Sequence, residues 1–167
     1  PDACPPWMKV TWEHAARRGK PALEAPVKVV WYHGGRSKRD RPEIETGMDL
    51  GKWFNGILFV GDKGMLLADY GKRVLLPKDK FAGFKAPKPW IPKSLGHHQE
   101  WIHAAKTGAP TLCNFEYSGS LIEHNLLGSV AYRVAKKLQW DSKNLKATNA
   151  PEASKYIRRE YRKGWSI

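Results

Sequence analysis

The chain has 167 residues, 41% of them hydrophobic, and a formal net charge of +13. That length buries one core and is short for two ordinary domains, so a single α+β domain over 1–167 is expected. No apolar run approaches the roughly 20 residues that span a bilayer and no basic-then-apolar leader opens the chain, so the sequence reads as soluble, with no membrane partner and its compartment, cytoplasmic or exported, left open.

Eight Trp, 15 Gly and 12 Pro suit strands joined by tight turns better than a helical bundle. The opening Pro1-Asp2-Ala3-Cys4-Pro5-Pro6 reads as a rigid surface lead-in, as if the chain starts inside a longer product. Residues 7–16 alternate large apolar and polar side chains, and 26–33 hold Val27, Val29, Val30, Trp31 and Tyr32, so both read as strands. The polar stretch Arg17-Arg18-Gly19-Lys20-Pro21 between them allows antiparallel pairing, and Gly34 and Gly35 end the second strand. Periodicity is lost over 36–56, a long charged loop with Pro42 and Gly47.

Order returns at Ile57-Leu58-Phe59-Val60, followed by Gly61-Asp62-Lys63-Gly64 and Met65-Leu66-Leu67-Ala68-Asp69. This is a hairpin, with Gly64 expected in the left-handed conformation that closes a type I turn with a bulge. A short strand over 73–76 stops at Pro77, and 81–92, with Pro87, Pro89 and Pro92 around Trp90, is an extended connection. The character then changes to helix: 97–107 ending at Gly108, a principal helix over about 120–137, and a basic C-terminal helix over about 151–161 that starts at Pro151. Residues 138–141 add an edge strand. Strands first and helices later imply an open, mainly antiparallel sheet covered on one face by helices.

Familiar chemistry is missing. No Gly-x-Gly pair opens a dinucleotide fingerprint, and no phosphate loop, Gly-x-Ser-x-Gly elbow, His-Glu-x-x-His or Cys-x-x-Cys occurs. The densest polar cluster is Gly96-His97-His98-Gln99-Glu100-Trp101-Ile102-His103. His98 and His103 are five apart, so no two imidazoles share the i, i+4 face that favours chelation, and no metal is expected. At a helix N-terminus, His97 and His98 could still bind or polarise a substrate oxygen, against the blander reading that they bond neighbouring loops. His33 at a strand end and Trp90 are the other pocket candidates, although Trp31, Trp90 and Trp101 are each ordinary packing residues in the bland reading. Glu116, Glu123 and His124 are not paired by spacing, and Glu123 reads as exposed. Cys4 and Cys113 form no metal spacing, with a single bridge left open. The basic residues run from Lys9 to Lys163, densest at Arg158, Arg159, Arg162 and Lys163, and a solvated basic face is preferred over a nucleic-acid surface.

The hairpin Phe59 to Leu66, the segment Gly96 to Gly108 and the ending Ala150-Pro151-Glu152-Ala153 through Tyr161-Arg162-Lys163-Gly164-Trp165, in this order, resemble the bacterial-type C-terminal domain of the Gfo/Idh/MocA oxidoreductases. The resemblance implies a Rossmann domain, outside this chain, that binds NAD or NADP, and a C-terminal sheet that covers a sugar or polyol substrate and builds a homo-oligomer. It implies a catalytic Lys in Glu-Lys-Pro, which this sequence lacks, and an Asp or His on a helix that would precede Pro1. No catalytic or cofactor-binding residue is therefore carried over, and the chain alone is expected to do no redox chemistry. The competing reading is a stand-alone carbohydrate- or polyanion-binding module.

Overall fold

The computed structural model describes residues 5–19, 24–34, 44–53 and 55–165. Its contacts fall into two compact units, one over 3–92 and the other chiefly over 93–167. The fold is α+β with open antiparallel sheets, as the pattern predicts, and the strands divide among three sheets instead of forming one.

In the N-terminal unit, β1 (Trp7–His14) pairs antiparallel with β2 (Val27–Gly34), in register from Trp7 opposite Gly34 to His14 opposite Val27. Residues directly opposite share a face. Met8, Val10 and Trp12 therefore lie with Val27, Val29 and Trp31 on one side, His14 and His33 closing its ends. On the other side the Lys9 ammonium sits 5.3 Å from the centroid of the Tyr32 ring. Gly35, Lys20 to Leu23 and, of the expected 36–56 loop, residues 36–43 and 54 lie outside the described residues; within that loop, Leu50–Lys52 forms a 3-10 turn whose cap is the Asp49 carboxylate, accepting from Gly51 N at 2.8 Å.

The second sheet has the order β3 (Ile57–Gly61), β4 (Gly64–Ala68), β5 (Arg73–Leu76). The β3–β4 register runs without a shift from Ile57 opposite Ala68 to Gly61 opposite Gly64, leaving a two-residue Asp62-Lys63 connection. The expected bulge is therefore absent. Gly64 has φ 149°, positive but outside the compact left-handed well expected for it. Packing explains the requirement for glycine: a Cβ there would lie 2.7 Å from the Leu76 carbonyl oxygen and 2.7 Å from Cε2 of Phe81. The β4–β5 turn is held by Asp69, whose carboxylate accepts from Gly71 N at 2.8 Å and Lys72 N at 2.7 Å. These two backbone bonds hold its carboxyl below the usual range.

The C-terminal unit is built on α1 (His97–Thr107), α2 (Phe115–Val134) and α3 (Ser154–Ile157), with β6 (Trp140–Asp141) paired to β7 (Lys146–Ala147). Helix α2 begins earlier and ends earlier than apolar spacing predicts. Asn114 caps it by accepting from Tyr117 N at 2.9 Å, and Ala135, at φ 57°, turns the chain out of it. The expected C-terminal helix over 151–161 is a 3-10 turn, Pro151–Ala153, followed by the single turn of α3, and Arg158 is extended. Ile157 is its last residue packed on the core, and short helices persist only where such packing holds them. That core is small-residue: Val130, Ala147, Ala150 and Ala153, flanked by Val134, Leu138, Trp140 and Ile157. Among the described residues no helix is long and apolar enough to cross a membrane.

The glycine argument has a direct test. Gly64→Ala should cost on the order of 2–5 kcal/mol, from backbone strain and overpacking together, in urea unfolding followed by Trp fluorescence. Gly61→Ala, whose Cβ would meet only Gly64 O at 3.5 Å, should be close to neutral. Equal stability of the two variants would contradict the packing.

Candidate functional site

Helix α1 carries the histidine cluster, and its start is fixed by local chemistry. Gly96, at φ 92°, turns the chain into the helix, and its N–H donates to Ser94 Oγ at 3.0 Å. Ser94 Oγ in turn donates to Glu100 Oε2 at 2.6 Å. The other oxygen, Glu100 Oε1, accepts from Leu112 N at 2.6 Å. One carboxylate thus ties the first turn of α1 to the segment that leads into Asn114 and α2. The Ser94 hydroxyl, the Leu112 amide and the neighbouring His97 hold the Glu100 carboxyl below its ordinary pKa, in that order of weight. At the far end Gly108, at φ 72°, stops the helix as its glycine predicts.

On this frame His97 and His98 sit side by side in the first turn, both exposed, while His103 lies near the last turn. Trp101 on α1 is 71% exposed, and Phe115 and Tyr117 at the start of α2 are also exposed. Helix α1 therefore offers two exposed imidazoles in its first turn and an exposed indole, and its Glu100 carboxylate is fixed by Ser94 and Leu112. Such groups stack on and hydrogen-bond polar ring compounds, sugars among them.

The remaining candidates are elsewhere. His33, opposite Met8 on β2, and Trp90, 87% exposed in the proline-rich segment, belong to the N-terminal unit. The four substrate-side candidates are thus split between the two units, and His97 and His98 are neighbours only by sequence. Glu123, expected on an exposed side, is half-buried and accepts from the Trp140 indole Nε1 at 2.6 Å, which assigns it to packing of the C-terminal core. His124, next to it, is half-buried, and Glu116 is exposed in the first turn of α2. Cys113 is an exposed free thiol, and Cys4, its possible partner, lies outside the described residues. Among the described residues no group of three or more His, Cys, Asp or Glu could hold a metal ion.

Sequence reasoning passed over Ser94 and Glu100. The signal was available: a serine two residues before a glycine N-cap, with a glutamate in the first helical turn, is capping chemistry.

No family model matches the chain, and no curated protein matches it.

A lowered carboxyl pKa contributes stability that is complete above the unfolded value, about 4.3 for Glu, and is lost as pH falls through the folded one. Asp69, Glu100, Asp141 and Glu152 are all lowered, so the fold weakens as pH drops below that range. Glu100→Gln should lower the melting temperature at pH near 7, and the gap to the unaltered chain should narrow as pH falls below about 4 and close once pH has passed below the lowered folded-state value, where Glu100 is itself neutral. Circular dichroism melts at a series of pH values check this; a gap that stays constant would remove the charge from the argument.

Proposed function

We propose that this chain is the C-terminal substrate-covering and oligomerisation domain of an NAD(P)-dependent sugar or polyol oxidoreductase, inactive in redox chemistry by itself. The observation that carries the reading is the sheet β3–β5, which has no polar face. The register places Leu58, Leu67 and Val74 with Val60, Met65 and Leu76 on one side. On that side Leu67 and Leu76 are 4% and 1% exposed, while Val60 on the edge strand β3 is 58% exposed. The other side carries Ile57 and Phe59, Leu66 and Ala68, and Leu75, with Arg73 at its end.

Continuous apolar strands of this kind belong to sheets covered on both faces. Here Ile57 and Phe59 are 60% and 55% exposed, an apolar surface of the sort that marks an interface. A second copy of the chain is the cover that the family resemblance implies, and an isologous sheet contact supplies it with one self-complementary patch. The resemblance further supplies the partner domain, a Rossmann fold holding NAD or NADP, and the substrate class. His33, Trp90, His97 and His98 are the side chains that a sugar or polyol would meet on this half.

Light scattering over micromolar concentrations should find a homo-oligomer, and Phe59→Glu should convert it to monomer while leaving the circular dichroism spectrum unchanged. A monomer at every concentration would remove the oligomerisation role. Calorimetry with NADH should show no binding to this chain, and a clear heat of binding would overturn the assignment to the half without the nucleotide site.

A further inference from the structure

The C-terminal unit contains a groove of about 570 Å³ that none of the histidine or tryptophan candidates lines. One wall is the turn between β6 and β7, where Leu145 is forced to φ 48°; the other is the segment from Pro151 to Arg158. Its floor is apolar, formed by Ala147, Ala150 and the half-buried Ile157. Alanines at this crossing leave space that larger side chains would fill.

The charged groups at the groove are cationic. Lys146 and Arg158 line it together with the neutral Asn144, Thr148 and Ser154, and no Asp or Glu does. Lys146 faces Asp141 across the two-residue ladder and its charge acts on that carboxylate, which is held by Asn144 through its side-chain amide at 2.7 Å and its backbone N–H at 3.1 Å. Among the described residues the Arg158 guanidinium and the Ser154 hydroxyl have no partner. The surrounding stretch, 133–163, holds ten Lys and Arg against three Asp and Glu, so the field over the groove is positive.

We propose that this groove binds a small molecule carrying a phosphate or carboxylate on an apolar or ring-shaped body. The Arg158 fork matches either head group in two parallel bonds, Lys146 adds a point charge, and Ser154 adds a neutral donor. The alanine and isoleucine floor takes the body. A volume within the roughly 300–1,000 Å³ of small-ligand sites, with an apolar base, favours a compact ligand over a macromolecular polyanion, which is held along an open basic track. The site is independent of the sheet and of the oxidoreductase reading.

Phenyl phosphate and benzoate are suitable probes, titrated into the full chain by calorimetry with inorganic phosphate and phenol beside them. Saturable binding of phenyl phosphate or benzoate is expected, weaker binding of inorganic phosphate, and none of phenol. Arg158→Gln should weaken the complex about tenfold or more, as loss of a charged bidentate contact does, and Lys146→Gln should weaken it several-fold. Arg159→Gln, next in the chain but not lining the groove, should leave affinity unchanged. Absence of saturable binding at millimolar concentration, or equal affinity in Arg158→Gln, overturns the site. So does binding of heparin that phenyl phosphate does not displace, which assigns the basic surface to a macromolecule instead.

Discussion

A β-strand that is apolar on both faces has to be covered twice, and the sheet β3–β5 is made of three such strands. The turns of this sheet are satisfied locally. The Asp69 turn closes on its own backbone, and the Lys80 ammonium reaches the Lys63 carbonyl at 2.7 Å to steady the hairpin connection. Burial on the second face cannot be satisfied by three strands alone. Fully burying one side chain the size of Ile or Phe is worth about 1.5–3 kcal/mol. Ile57 and Phe59, both exposed on that face, therefore make association a stronger pull than any single hydrogen bond in the unit, each worth about 1 kcal/mol net.

The C-terminal unit answers a different problem. Its core is mostly alanine, which buries little area per residue, so polar contacts do more of the positioning. Asn149 accepts from Gln139 N at 2.7 Å and donates to the Lys137 carbonyl at 2.9 Å, closing the chain after α2 onto the segment after β7. The Lys136–Glu152 pair, at 2.6 Å, joins the same two segments at the surface, where such pairs add little stability and chiefly fix geometry. Glu123 orients Trp140, whose ring is part of the packing around Ala147 and Ala150. Small residues held in place by a polar frame leave a groove, whereas a core of Leu and Ile would have closed it.

Legibility followed the range of the interactions involved. The hairpin pairing of β1 with β2 and of β3 with β4, and both ends of α1, rest on alternation and on glycines within a few residues, and all could be read in advance. The start of α2 was misplaced because its apolar repeat becomes clear only near Leu121, while the cap that starts it is a single asparagine at 114. Glu123 was misplaced because its partner, Trp140, is 17 residues away and the contact depends on how the chain turns after Ala135. Strand β7 has two residues and no periodicity, so neither it nor the groove beside it could be foreseen. Of the candidate site, the placing of His97 and His98 in one helical turn was legible because it is local, and the Ser94–Glu100–Leu112 staple was overlooked because Leu112 is brought in by the turn after Gly108.

Charge and apolarity are segregated along the chain, and this separates the two proposed surfaces physically. Residues 57–76, which make the sheet, hold three basic and two acidic side chains, so copies meeting there bring almost no charge into the contact. Just over half of the net positive charge lies over 133–163, with ten Lys and Arg against three Asp and Glu. A chain with a net charge of +13 repels its own copies, and added salt screens that repulsion while leaving apolar burial intact. The same salt competes with any anion for Arg158 and Lys146. Association through the sheet and ligand capture in the groove therefore respond to ionic strength with opposite sign, because one depends on hiding apolar surface from water and the other on charge left in reach of it.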